Sequence, residues 1–201
     1  MVIICYLWSK NLQVEITDFR TFELKDTKYI HPYRISYVLN GKRREWEAVK
    51  SHDSVAILLY HKPKDSFLLV QQFRPPVYMN DKTKLFTYEL CAGIMDKNKD
   101  IAVIAQEEID EECGYHVPVE NLRQITSFYN NVGVSGSRQY LFYATIDDTM
   151  KIHEGGGVHT EQIELFYLPI KDSKHFMYDQ TKAKTPGLMF AFYWFFDRFG
   201  R

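Results

Sequence analysis

Residues 93–115 read GIMDKNKDIAVIAQEEIDEECGY, and the middle of that run decides the fold. Residues 100–113, DIAVIAQEEIDEEC, carry apolar side chains at the spacing of an amphipathic helix. With Ile101 at zero and about 100° per residue, Ile104 falls at about 300°, Ala105 at about 40° and Ile109 at about 80°. That is the stripe a core would cover. Glu112 falls at about 20° and Glu108 at about 340°, inside the stripe, while Glu111 at about 280° borders it. Only Glu107 and Asp110 lie on the solvent side. A run of glutamates is ordinarily a solvated face, but here two of them sit among the isoleucines. Burying carboxylates without partners costs several kcal/mol, and like charges one turn apart repel, so the pattern demands a cation. With no His or Cys in the set, the donor chemistry suits a hard, oxygen-loving ion: Mg²⁺, with Mn²⁺ as a substitute. Such an ion typically bridges protein carboxylates to substrate phosphates, which points to phosphoryl chemistry.

Working outward, Tyr33 to Leu39 and Lys42 to Val49 flank Asn40-Gly41, the pair a tight type I′ hairpin requires. Their alternation is two-sided, aromatic against polar, which suits packing on another chain. Ser54 to Tyr60 and Ser66 to Phe73 form a second strand pair that Pro75-Pro76 ends. Thr87 to Cys91 reads as a short strand leading to Gly93, and residues 123–129, 139–145 and 162–168 read as strands. A short helix near Asp172 to Tyr178 precedes a longer one from Pro186 to Phe199, with Pro at its start and Gly200 after its end. This order predicts an α/β fold with a small N-terminal β region, residues 1–51, and a main domain, 52–201. The apolar start, MVIICYLW, reads as a strand or a loosely held end, too short to span a bilayer.

The chain has 201 residues, of which 25 are basic and 26 acidic, for a net charge of −1. Neither a nucleic acid nor an anionic membrane is an evident partner of so neutral a chain. The apolar run LMFAFYWFF near the C-terminus stops at Asp197, about half the length a bilayer needs, and reads as a core or interface helix. Cysteines 5, 91 and 113 form no CxxC pair and read as reduced thiols of a cytoplasmic protein.

The run from Gly93 to Tyr115 resembles the box of the Nudix hydrolases, with Gly93, Glu108, Ile109, Glu111, Glu112, Gly114 and Tyr115 in register. Two positions depart, Lys99 standing where the family has Glu and Glu107 where it has Arg. Together they form a charge swap that would keep an ion pair, although an unpaired Glu107 would equally suit solvent. The segments HDSV (52–55), VQQFRPPVY (70–78), YELCAG (88–93) and GVSGSRQYLFY (133–143) resemble the ADP-ribose and sugar-nucleotide pyrophosphatase branch. The resemblance implies an α/β/α Nudix sandwich whose N-terminal hairpin forms a homodimer. It implies Mg²⁺-dependent hydrolysis of a nucleoside diphosphate sugar, UDP-glucose favoured over ADP-ribose, to a nucleoside monophosphate and a sugar 1-phosphate. The two departures also admit a catalytically weak nucleotide-sugar binding module.

Carried over position by position, Glu108 and Glu112 match metal ligands, Glu111 supports them, and the Ala92 carbonyl matches a backbone ligand. Arg74 matches a phosphate-binding arginine, though beside Pro-Pro it also suits a surface ion pair. Glu161 matches the carboxylate that prepares the attacking water; its loop, loosened by Gly155 to Gly157, also offers Glu154 and His159. Trp46 and Glu47 match substrate-binding residues lent by a partner subunit, with hairpin packing the plainer role for Trp46. Asp53 matches a polar site residue, while Ser135, Ser137 and Arg138 lie near enough to line the site without an assigned role.

Overall fold

Side chains of successive strand residues point to opposite faces, so a central strand buried on both sides must be apolar throughout. Two stretches meet that demand, VAILL at 55–59 and FLLV at 67–70, and both are fully buried. A computed structural model describes residues 16–22, 26–27, 30–158 and 162–201. The expectations for residues 1–8, for Cys5 and for Glu161 and His159 lie outside the described residues.

The chain begins with a hairpin, β1 (His31–Leu39) and β2 (Lys42–Lys50), then β3 (Ser54–His61), β4 (Ser66–Gln72), α1 (Pro75–Asn80), β5 (Thr87–Glu89) and β6 (Cys91–Ile94). Next come α2 (Ile101–Glu108), a π turn (Ile109–Cys113), β7 (Arg123–Asn130), β8 (Ser137–Ile146), β9 (Ile163–Pro169), α3 (Ile170–Tyr178), β10 (Ala183–Lys184) and α4 (Pro186–Phe199). The main sheet runs β10-β5-β4-β3-β8-β7; β3–β8 and β10–β5 are parallel. The first half of β3 pairs with β6 and the second half with β4, and β4 carries β9 on its other edge. This change of partner curls the sheet.

Strand alternation divides the core in two. Val55, Ile57, Leu59, Leu68, Val70, Phe142 and Ala144 face α2 and its π turn, where Ile104, Ala105, Ile109 and Cys113 cover them. Ala56, Leu58, Phe67, Leu69, Leu141 and Tyr143 face α3 and α4, where Phe176, Leu188, Phe192 and Phe195 cover them. The sheet is thus the middle layer of a mixed α/β structure. No helix among the described residues is long and apolar enough to cross a membrane; α4 packs on the sheet, Phe67 stacking on Phe192 at 4.3 Å.

The hairpin turn is as the sequence requires, with Asn40 and Gly41 at φ 52° and 75°. Three local expectations needed revision. Pro75-Pro76 starts the short helix α1 rather than merely ending a strand, because proline at a first helical turn gives up no needed donor. The strand near Cys91 is two strands, β5 paired to β4 and β6 to β3. The helix of 100–113 is not α-helical throughout: its last turn widens to a π turn, closed by Tyr115 N–H on Ile109 O at 3.5 Å. There Gly114, at φ 71°, has its backbone pressed on the His153 carbonyl, and a Cβ would collide with it.

Candidate active site

Two close backbone approaches shape the site. Gly93, within β6 and paired with Val55 of β3, lies against the Glu108 carboxyl, where any Cβ would overlap it. One π turn later, Glu112 is 5% exposed, and its Oε2 accepts the Ala92 N–H at 2.9 Å. The first and last members of the glutamate set are thereby set against the two middle residues of β6, Gly93 and Ala92. Glu111 is more open, with Lys97 Nζ at 4.0 Å. All three, with Asp96, Lys97, Gln72, Arg74, Ala92 and Val158, line one cavity of about 690 Å³. The sequence-derived set Glu108, Glu111, Glu112, Ala92 and Arg74 is brought together on this cavity.

Among the described residues, no three His, Cys, Asp or Glu side chains form a ready-made metal cage. The donor chemistry nevertheless fits a divalent cation: four carboxylates border the cavity, and among the described residues no thiol or imidazole lines it. Lys97 registers the negative field, its ammonium pushed above the ordinary lysine value chiefly by Glu107, with Glu111 and Glu108 adding to it. Nearby Cys91 is a buried free thiol, and burial pushes its pKa well up, so it stays protonated.

The two departures from the family pattern meet. Lys99 bonds Glu107, which also takes Lys97 Nζ at 3.2 Å, and Lys99 first and Lys97 second hold the Glu107 carboxyl below its ordinary value. The swapped pair is formed, and Glu107 is not a solvated end. Asp110, expected to face solvent, is half-buried and meets His116 Nδ1 at 3.1 Å, because the π turn rotates it off the α-helical position.

Arg74 is held by a residue that sequence reasoning passed over. Its Nε and Nη2 donate to Glu89 Oε1 and Oε2, both at 2.9 Å, and Thr87 Oγ1 donates to the same carboxylate at 2.6 Å. This fork fixes the guanidinium plane at the cavity's edge. Glu89 stands within YELCAG, but 15 residues separate it from Arg74, and only the β4–β5 pairing joins them.

The glycines of 155–157 serve close approach rather than looseness. Gly156 N–H donates to Glu112 O at 2.9 Å and Gly157 N–H to Glu111 O at 3.3 Å, so the loop is docked on the π turn. Val158 then lines the cavity, three residues before Glu161.

Trp46, Glu47 and Asp53 are not brought to this cavity within one chain. Trp46 Nε1 donates to Gly133 O at 2.9 Å, which ties the hairpin to the 131–136 loop, and Glu47 is exposed near Arg34 at 3.5 Å. Asp53 Oδ1 accepts the Arg138 N–H at 2.8 Å and so fastens β3 to β8.

A glycine-flanked helix and π turn that set acidic side chains on one cavity of a curled sheet define the class: the chain belongs to the Nudix hydrolases. The relatives are sugar-nucleotide pyrophosphatases. The chain is 35% identical over 197 residues to the uridine diphosphate glucose pyrophosphatase of Bos taurus, covering 84% of this chain and 89% of that one. The enzyme of the same name from Mus musculus is 32% identical over 198 residues, covering 85% and 89%. The GDP-mannose pyrophosphatase of Pectobacterium atrosepticum is 33% identical over 150 residues, 71% of this chain and 76% of its own. No family model matches the chain.

Proposed function

We propose that this chain hydrolyses a nucleoside diphosphate hexose, with UDP-glucose the favoured substrate, to a nucleoside monophosphate and a sugar 1-phosphate. The carrying observation is the acidic cavity with Arg74 at its rim, in a chain whose relatives are named for UDP-glucose and GDP-mannose. Both are nucleoside diphosphate hexoses, which supports keeping ADP-ribose as the runner-up.

Glu108 and Glu112, supported by Glu111 and the Ala92 carbonyl, would hold Mg²⁺. Such an ion, when bound, neutralises phosphoryl charge and lowers the pKa of water. Arg74, its plane fixed by Glu89, grips the diphosphate in the bidentate manner a guanidinium allows. Glu161 orients and deprotonates the attacking water; docking of the preceding glycines on the π turn supports that assignment. Asp53 acts indirectly, by fastening the strands beneath the 131–136 loop.

The N-terminal region read as 1–51 would join two copies through its described hairpin, β1 and β2, and 52–201 would be the hydrolase domain. Tyr33, Ile35, Tyr37 and Trp46 stand exposed on a two-stranded hairpin, a unit marginal on its own. In the homodimer, this hairpin would lend Trp46 and Glu47 to the partner's substrate. The cytoplasm suits the unpaired, reduced thiols of Cys91 and Cys113.

A panel of UDP-glucose, GDP-mannose and ADP-ribose with Mg²⁺, its products resolved, tests this reading. Glu112→Gln is expected to lower turnover at least about a hundredfold, since even second-layer partners of a metal cost about ten- to a hundredfold. Chelation should abolish turnover. Ligand binding without product, unchanged in Glu112→Gln, would establish a binding module instead.

A further inference from the structure

A second cavity of about 630 Å³ lies on the opposite face of β6, between β7 and the first turn of α4. Ala92 lines both cavities, and Glu89, the partner of Arg74, lines the second one. Strand alternation turns Phe128, Asn130 and Gln139 toward α4, as the pairing of Phe128 with Gln139 requires. Gly187 lets the helix close on them: a Cβ there would lie 3.0 Å from Gln139 Oε1 and 3.1 Å from Phe128.

The lining states what could enter. Among the described residues its one charged side chain is Glu89, already neutralised by Arg74, so none of them offers a phosphate a cation. Amides both donate and accept, which suits a ring of hydroxyl groups: Gln139 Nε2 donates to Ser54 Oγ at 3.2 Å, which orients the amide, and Asn130 lines the same cavity. The aromatic walls do not form a slot for a planar base: Phe128 and Phe190 meet edge to face, with centroids 6.2 Å apart at 66°.

We propose that this cavity receives the hexose of the substrate, with Gln139 the residue that discriminates among sugars. The inference rests on the diphosphate reading of the acidic cavity and assigns the neutral end to the space behind Ala92.

Two series of substrates test it, one varying the sugar (UDP-glucose, UDP-xylose) and one the base (UDP-glucose, ADP-glucose). Gln139→Leu is expected to shrink the glucose-over-xylose preference about tenfold, the scale of one lost group in a binding pocket, and to leave the base preference unchanged. Phe190→Ala, at the half-exposed rim, should weaken UDP-glucose in the same sense without touching the core, so a folding failure of the first variant does not decide the matter. The same preferences are read as ligand-induced shifts of Tm without metal. A wild type that binds but hydrolyses none of these compounds would sink the proposed function while leaving this readout intact. A changed base preference with sugar preference intact, or no change in either series, would overturn the hexose assignment.

Discussion

The two faces of the central sheet are buried by different chemistry. Toward α3 and α4 the cover is nearly all aliphatic and aromatic, with the Phe67 ring of β4 in contact with both Phe192 and Phe195. Toward α2 the same strands meet a layer that admits polar groups: Glu112 is buried on the Ala92 N–H, and Tyr115 and Tyr167 join hydroxyls at 2.7 Å. Buried polar groups are stable mainly where they have partners; on the π turn Asp110 keeps one carboxylate oxygen buried without one. Away from the cavity proposed for the hexose, the first face therefore supplies hydrophobic stability, and the other spends part of its burial on holding carboxylates for chemistry.

Truncating the apolar face should separate these tasks most sharply. Phe192→Ala removes a fully buried ring from its stack and should lower stability by about 3–5 kcal/mol. Denaturant unfolding measures that loss, and the KM of the remaining folded enzyme should stay near wild type. A KM change in the folded enzyme as large as that of Phe190→Ala would show that the phenylalanine cluster and the site are not independent.

On the chemical face, the reversed charge pair gives a smaller test. Glu107→Arg places a third cation beside Lys97 and Lys99 and is expected to cost about 1 kcal/mol, the upper range for a pair this exposed. Adding Lys99→Glu should recover most of the stability and the turnover. A double variant far worse than either single one would mean that the orientation of the pair matters, not merely its presence.

How much of this was legible follows from the reach of each signal. The glutamate set was readable because helical spacing is local: Glu108 and Glu112 fall on the buried stripe at any reasonable pitch. The Asn40-Gly41 turn was readable because few residue pairs tolerate two positive φ values. The π turn was not, since its cause is tertiary: Gly114 meets the His153 carbonyl some forty residues away. The Gly155–Gly157 run was read as loose because glycine is permissive by itself, whereas the folded chain uses its small size to dock the loop on Glu111 and Glu112. Glu89 was passed over because strand pairing, invisible in a single segment, brings it to Arg74.

The smallest expected effect probes another polar element on the α2 side. His61, fully buried at the end of β3, has Asp148 at 3.2 Å, Lys64 at 3.3 Å and the rings of Tyr115 and Tyr167 edge-on. Burial, then the charge of Lys64, lowers its pKa below the ordinary 6.5, against the opposing pull of Asp148. The unfolded chain therefore binds the proton first, and stability should fall as the pH drops below about 6.5 and level off only once folded His61 also protonates. The paired carboxylate of Asp148 is held below its own ordinary 3.8, chiefly by Lys64, so the interval between about 6 and 5 isolates the histidine. Unfolding midpoints across that interval should slope downward in acid for the wild type and flatten in His61→Gln. An unchanged slope would mean that acid strikes elsewhere first, and that this face is protected by its partners as well as the phenylalanine face is by exclusion of water.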